Sequence, residues 1–287
     1  MSRISLAGAP VSWGVDFAGD PLNPPPSEVL DGIAAAGLEW MELGPPGFLP
    51  ASADVLADRG LRSVGTFVFD DLHDPRARDT VAGAVHDGLA ALVTFGGRFL
   101  VLIDRPCPQR AAAAGRSTAA ARLDDGAWQA MVATIRGAAE AAAAVGVRVV
   151  FHPHAGGYVE FADEIERLLI DLPADEVGLC LDTGHALYAG MSPEDLVRDY
   201  GERLEHLHIK DVRVERREGD FWSAVASGTF CPAGEGLLHL DALTRALTET
   251  GYDGFATIEQ DRRPESPGTP LDDLRRSVAR VRASGIG

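Results

Sequence analysis

Gly146-Val147-Arg148-Val149-Val150-Phe151-His152-Pro153-His154 is the stretch whose reading decides the fold. Its glycine closes a long Ala-rich helical pattern that Asp124 and Asp125 open. A nearly continuous apolar run follows and ends in polar residues. Strands that read this way are covered on both faces, as in parallel sheets with helical crossovers.

The same alternation extends in both directions. Short β-rich runs occur at Ile4–Trp13, Trp40–Leu43, Ser63–Phe69, Phe99–Ile103, Val147–His152, Val177–Leu181, His206–Ile209 and Phe255–Ile258. Helix signals lie between them. Ser27 is placed to cap Glu28–Ala36, which Gly37 stops; Ala51–Arg59 ends at Gly60, and His86–Phe95 ends at Gly96. Ser192-Pro193-Glu194-Asp195 has the pattern of a capping box. Leu240–Glu249 and Leu271–Ala283 complete the set. Eight strand–helix units in 287 residues predict an α/β fold, a single (β/α)8 TIM barrel spanning residues 1–287, for which about 250 residues is typical. The rival, a doubly wound open sheet, advertises a Gly-x-Gly-x-x-Gly turn or a phosphate loop, and the sequence has neither. Pro106–Arg122 follows the fourth strand and reads equally as a lid or as a disordered loop.

Composition narrows the class of partner. The chain is 46% hydrophobic and 24% charged, with 26 Lys and Arg against 43 Asp and Glu, a formal net charge of −17. Such a surface repels phosphate backbones and anionic lipid, so neither nucleic acid nor a membrane is an expected partner. The N-terminal stretch lacks the apolar core of a signal peptide, and no run of 18 apolar residues occurs. Cys107, Cys180 and Cys231 are odd in number and far apart, which suits a reducing cytoplasm.

Barrel chemistry sits at the C-terminal ends of strands, and polar residues gather at those ends. Strand two ends in Glu42, strand three is followed by His73, and strand five ends in His152-Pro153-His154. Strand six ends in Asp182-Thr183-Gly184-His185, strand seven carries His206, His208 and Lys210-Asp211, and strand eight ends in Glu259. Six of the eight histidines fall at these ends. Imidazole and carboxylate together are the usual ligands of Zn²⁺, Mn²⁺, Fe²⁺ and Co²⁺. Side chains alternate along a strand, so His206 and His208 share a facing that Leu207 opposes. Each residue also has a structural reading: Asp182 as a helix cap, His206 as a core or orienting histidine, Lys210-Asp211 as an ion pair. A metal site explains them jointly.

The motifs Leu181-Asp182-Thr183-Gly184-His185, His206-Leu207-His208-Ile209-Lys210-Asp211, Gly234-Glu235-Gly236 and Ile258-Glu259 resemble the sugar-phosphate isomerase/epimerase-like (xylose isomerase-like) barrel superfamily over nearly the whole chain. The strings at Gly8–Trp13, Glu42–Phe48, His152–Glu160 and Gly228–Gly236 are similar to inosose dehydratase-like proteins within it. The resemblance implies a divalent metal, Mn²⁺ or Co²⁺ foremost, with Zn²⁺, Fe²⁺ and Mg²⁺ as alternatives. Its ligands carry over onto Asp182, His208 and Glu259, with His152 or Glu160 as the fourth. Keto-sugar epimerases of the superfamily have a glutamate where this chain has His152, which disfavours a two-glutamate epimerisation.

The implied reaction is dehydration of a keto-polyol such as scyllo-inosose through an enediolate. Such an elimination needs a base and an acid near neutral pKa; His154, His185 and Lys210 are the candidates, together with Glu259. Trp13, Glu42, His73 and Glu160 are expected at the polyol pocket. The alternatives are a metal-dependent keto-sugar isomerase or epimerase, and a non-catalytic sugar-binding barrel. The acidic shell suits a small neutral polyol or keto-sugar, and the sequence leaves homo-oligomerisation open.

Overall fold

The structure, a computed structural model, describes residues 4–213 and 219–287. Eight parallel strands close into the expected barrel. They are numbered β1 (Ser5–Gly8), β2 (Trp40–Glu42), β3 (Arg62–Asp70), β4 (Phe99–Asp104), β5 (Arg148–Phe151), β6 (Gly178–Asp182), β7 (Leu204–Ile209) and β8 (Phe255–Ile258). Each pairs with its sequence neighbours, and β1 closes on β8 from Ser5↔Phe255 to Gly8↔Ile258. A two-stranded antiparallel ribbon, Asp211–Val212 with Phe230–Cys231, stands on the mouth after β7.

Alternation along the strands divides the core. Leu207 belongs to the large layer between sheet and helices, whereas His206 points inward and stacks on Phe99 at 5.1 Å. Ala7, Val64, Val101, Val150 and Cys180 fill the barrel interior around Phe99. Trp40 and Phe255 meet edge to face at 4.9 Å, with Arg62 over the tryptophan. Side chains occupy the barrel's interior, and polar residues are left for the other end.

Local chemistry shifts several expected boundaries. The first strand stops at Gly8, because Pro10 has no N–H for the ladder and Pro10–Trp13 winds into a 3₁₀ turn that Gly14 ends at φ 80°. The first helix is Pro26–Ala35 with Pro25 at its cap, so Ser27 lies inside it and caps nothing. The second shrinks to Asp54–Ala57, and the third lengthens to Arg78–Phe95. Asp124 and Ser192 cap as expected, accepting from the N–H groups of Ala127 (2.8 Å) and Asp195 (3.2 Å).

Pro106–Arg122 is a correction. It contains the helix Pro108–Ala113, anchored by Arg110, whose side chain is 0% exposed. That guanidinium donates to Glu164 Oε1 at 2.9 Å and Oε2 at 3.0 Å, to Glu160 Oε2 at 3.4 Å and to the Ala121 carbonyl at 2.7 Å. The disordered-loop reading gives way to a segment stapled to the barrel by a buried cation.

No helix among the described residues is long and apolar enough to cross a membrane.

Candidate metal centre and its neighbours

The mouth of the barrel holds a cavity lined by Phe67, Phe69, Phe221 and Trp222 together with histidines and carboxylates. At its floor the ends of β5 to β8 converge. His152, Asp182, His208 and Glu259 are all buried, and each offers a donor atom within 4.8 Å of the others. Convergence follows from closure, because side chains at the ends of adjacent parallel strands point to one axis.

Asp182 serves two readings at once. Its Oδ1 caps the helix Thr183–Tyr188, accepting from the His185 N–H at 2.9 Å. Its Oδ2 lies 3.3 Å from His152 Nε2, 3.7 Å from His208 Nδ1 and 3.2 Å from Lys210 Nζ. Burial alone raises a carboxyl pKa, but the Lys210 ammonium, with hydrogen bonds from His152 and His208, outweighs it and holds Asp182 well below the usual range.

Behind His208 stands Glu42. Its Oε1 accepts from His208 Nε2 at 2.8 Å, His206 Nε2 at 2.7 Å and Thr257 Oγ1 at 2.9 Å. A carboxylate on one imidazole nitrogen fixes the ring and leaves the other nitrogen free to ligate. Glu42 lines the cavity, as expected, and also holds His208 from behind, with His206 completing that buried network.

The donor set fits a divalent cation. His152 Nδ1 is buried with no hydrogen-bond partner, which is uncommon for a buried polar atom, and His208 Nδ1 and Glu259 Oε1 are buried facing each other as an ion pair. Burial opposes an imidazolium at His208, yet Cys180, Glu259 and Glu42 outweigh it and raise its pKa well above the ordinary value. The quartet thus concentrates negative charge around buried nitrogen and oxygen atoms, and neutral imidazole with carboxylate is borderline-metal chemistry.

A second group lies one step further along the same strands. Lys210 Nζ donates to Asp261 Oδ1 at 2.6 Å and lies 3.3 Å from His185 Nε2. The rings of His154 and His185 are 3.9 Å apart. His154 Nδ1 lies 2.9 Å from the Ala155 carbonyl, while His185 Nδ1 accepts from the Ala155 N–H at 3.3 Å. The Ala155 carbonyl puts the proton of His154 on Nδ1 and its lone pair on Nε2, whereas His185 Nε2 faces both the Lys210 ammonium, which can only donate, and the Asp261 carboxylate, which can only accept. Burial, then neighbouring cationic groups, pushes both histidines well below the usual range, so both are neutral at pH 7.

Three expected pocket residues lie elsewhere. Trp13 packs against Gly32, where a Cβ would strike its ring. His73 Nδ1 pairs with Asp104 Oδ1 at 2.8 Å, and its ring lies 4.6 Å from that of Tyr158. Glu160 precedes the helix Ala162–Asp171 and accepts from the N–H groups of Gly115 (2.6 Å) and Gly156 (3.0 Å) beside Arg110. Nor is Lys210-Asp211 an ion pair. Asp211 accepts from the N–H groups of Val212, Gly234, Gly236 and Leu238, which is what the Gly234-Glu235-Gly236 loop is for.

The cavity also holds residues the sequence reading missed: Asp16, Asp261, Arg262, Phe67, Phe69, Phe221 and Trp222. Asp261 was signalled, being two residues beyond Glu259. Phe221 and Trp222 carried no signal, since they sit on a short helix in the long β7–β8 excursion.

Fold and site together define a (β/α)8 barrel whose strand ends gather a set of residues able to hold a metal, and comparison with known proteins agrees on the fold. The chain belongs to the xylose isomerase-like TIM barrel family, whose model matches residues 30–283. It is 37% identical over 149 residues to an inosose dehydratase of Geobacillus kaustophilus (strain HTA426), a match covering 50% of this chain and 48% of that enzyme. The match thus spans about half the length of that relative. Over 276 residues it is 30% identical to the rhizopine catabolism protein MocC of Rhizobium meliloti, covering 92% of this chain and 83% of that one. A solved structure of an IOLI protein with a binding zinc atom superposes with TM-score 0.74 at 16% identity, covering 98% of both chains. That last likeness concerns the fold.

Proposed function

We propose that this chain is a metal-dependent hydro-lyase that removes water from a keto-polyol such as scyllo-inosose. The observation that carries the reading is the pairing of a buried four-donor quartet with two neutral histidines and a buried ammonium in one cavity. The similarity to inosose dehydratases supplies the substrate class.

His152, Asp182, His208 and Glu259 would hold the ion, with Mn²⁺ or Co²⁺ favoured and Zn²⁺, bound by the IOLI structure, as the nearest alternative. When bound, such an ion supplies Lewis-acid stabilisation of negative charge on a substrate oxygen. Glu42 holds His208 in the ligating tautomer. Elimination breaks the C–H bond next to the ketone and the C–O bond at the following carbon, and forms a C=C bond that tautomerises to a diketone. His154 Nε2, with its lone pair, takes the proton. The Lys210 ammonium protonates the departing hydroxyl, directly or by relay through His185 Nε2, 3.3 Å away. Phe67, Phe69 and Phe221 offer an apolar wall to the C–H face of a ring and keep water from the reacting carbons. The net charge of −17 suits a neutral substrate better than a sugar phosphate.

The test is incubation of metal-loaded protein with scyllo-inosose in deuterated water, following diketone formation and deuterium exchange together. Diketone formation is the expected result. Exchange without elimination replaces the hydro-lyase with an epimerase, and neither, on protein that binds no metal, removes both.

A further inference from the structure

The two groups at the mouth are successive tiers of one construction. β5 supplies His152 and then His154, β6 Asp182 and then His185, β7 His208 and then Lys210, and β8 Glu259 and then Asp261. The outer tier is itself a ligand set: donor atoms of His154, His185 and Asp261, all buried, lie within 4.8 Å of one another. Asp261 Oδ2 is buried there without a hydrogen bond, 3.4 Å from His185 Nε2.

A cation already stands among them. Lys210 Nζ, on a side chain 3% exposed, is 2.6 Å from Asp261 Oδ1, 3.3 Å from His185 Nε2 and 3.2 Å from Asp182 Oδ2. Asp182 Oδ2 also faces His152 and His208, so one carboxylate oxygen spans the quartet and the ammonium. In centres with two metal ions about 3.5–4 Å apart the two charges act as one clamp, and here one of the two charges is covalently part of the chain.

We propose that the Lys210 ammonium takes the place of a second metal ion, and that His154, His185 and Asp261 form a latent divalent-metal site that opens when this side chain is removed. The chain around Lys210 is built to survive the removal. The Lys210 N–H donates to Thr183 Oγ1 at 2.9 Å, and that hydroxyl donates to the Lys210 carbonyl at 2.6 Å, so the backbone is pinned without the side chain. The aliphatic stem lies over Gly184, where a Cβ would come within 2.7 Å of it. Truncation therefore leaves a polar space lined by ligands. Functionally, a fixed ammonium makes the centre a one-metal site whose second positive charge does not depend on metal supply and can also donate a proton.

The inference rests on the metal-dependent reading for the inner quartet but is measured separately from it. Wild type, K210A, K210S and K210A/D261N are dialysed against Co²⁺, and bound cobalt per chain is measured together with the visible d–d spectrum and circular dichroism. The expected result is one more cobalt per chain in K210A and K210S than in wild type, with a second d–d band set, and a return to the wild-type count in K210A/D261N. Equal counts in folded K210A or K210S and wild type overturn the proposal. So does a wild type that already fills the outer tier, or an extra ion that survives D261N. A wild type that binds no cobalt removes the quartet's role, while the difference between K210A and wild type still decides this inference.

Discussion

The inner and outer tiers of the mouth differ in one respect that matters. Both are drawn from the ends of the same four strands, and both mix imidazole with carboxylate. The inner tier sets two carboxylates against two imidazoles with no ammonium of its own, whereas the outer tier sets one carboxylate against two imidazoles and carries the Lys210 ammonium. One tier is built to receive a cation and the other to hold and move protons. They meet at Asp182 Oδ2, so charge arriving in the inner tier is felt directly by the groups of the outer one.

The first way to break the comparison is at that shared atom. Asp182→Asn keeps an oxygen to cap His185 but removes the charge both tiers use. Turnover should fall by about 10⁴-fold or more, beyond the cost of losing one positioned acid or base, and bound metal should fall with it. Metal content measured beside diketone formation checks this, and full metal occupancy in the variant would detach Asp182 from the inner tier. The outer tier alone should behave differently. His154→Gln and His185→Gln should each lower turnover by about 10²–10⁴-fold with metal retained. Unchanged turnover in both removes them from the chemistry.

Glu42→Gln sharpens the boundary of the inner tier. Glu42 acts through His208, whose Nε2 it accepts at 2.8 Å. Metal affinity should weaken by about 10–100-fold, the usual cost of losing a carboxylate behind a ligating histidine. Turnover at saturating metal should largely recover. A loss of turnover that excess metal does not restore would return Glu42 to the substrate side, where its strand-end position alone would put it.

That double role shows what is legible in the sequence. The barrel can be read because each strand repeats one physical pattern, an apolar run between two helix boundaries. The inner tier can be read because strand ends of a closed barrel must converge. Glu42 sits at such an end too and lines the cavity, but strand-end position does not say that its carboxylate also holds the back of a histidine. Trp13 and His73 are misplaced because their partners, Gly32 in the first helix and Asp104 at the end of β4, are joined to them by tertiary packing that spacing along the chain does not reveal. Phe221 and Trp222 are illegible because nothing periodic marks the excursion that carries them.

Glu160 is the third kind of buried carboxylate, and it tests whether burial alone makes a functional group. It lies beside Arg110, Gly115 and Gly156, with its oxygens accepting from that network, away from both tiers. Burial, only partly offset by those N–H groups and Arg110, raises its pKa to about 7. A carboxyl with a raised folded-state pKa binds its proton more tightly in the native state than in the unfolded chain. Its contribution to stability is therefore complete below the ordinary value of 4.5 and is lost as pH rises towards about 7. The loss is on the order of a few kcal/mol, since raising a pKa by one corresponds to about 1.4 kcal/mol. Glu160→Gln has no proton to lose, so wild type should lose more stability than the variant between about pH 5 and pH 7.5. Denaturant melts of both proteins across that range measure the difference. Parallel pH profiles would show Glu160 ionised in the fold throughout, held by Arg110 as a plain ion pair. Turnover at fixed pH should stay within a few-fold of wild type, which separates a carboxylate that staples Pro106–Arg122 from those that face the cavity.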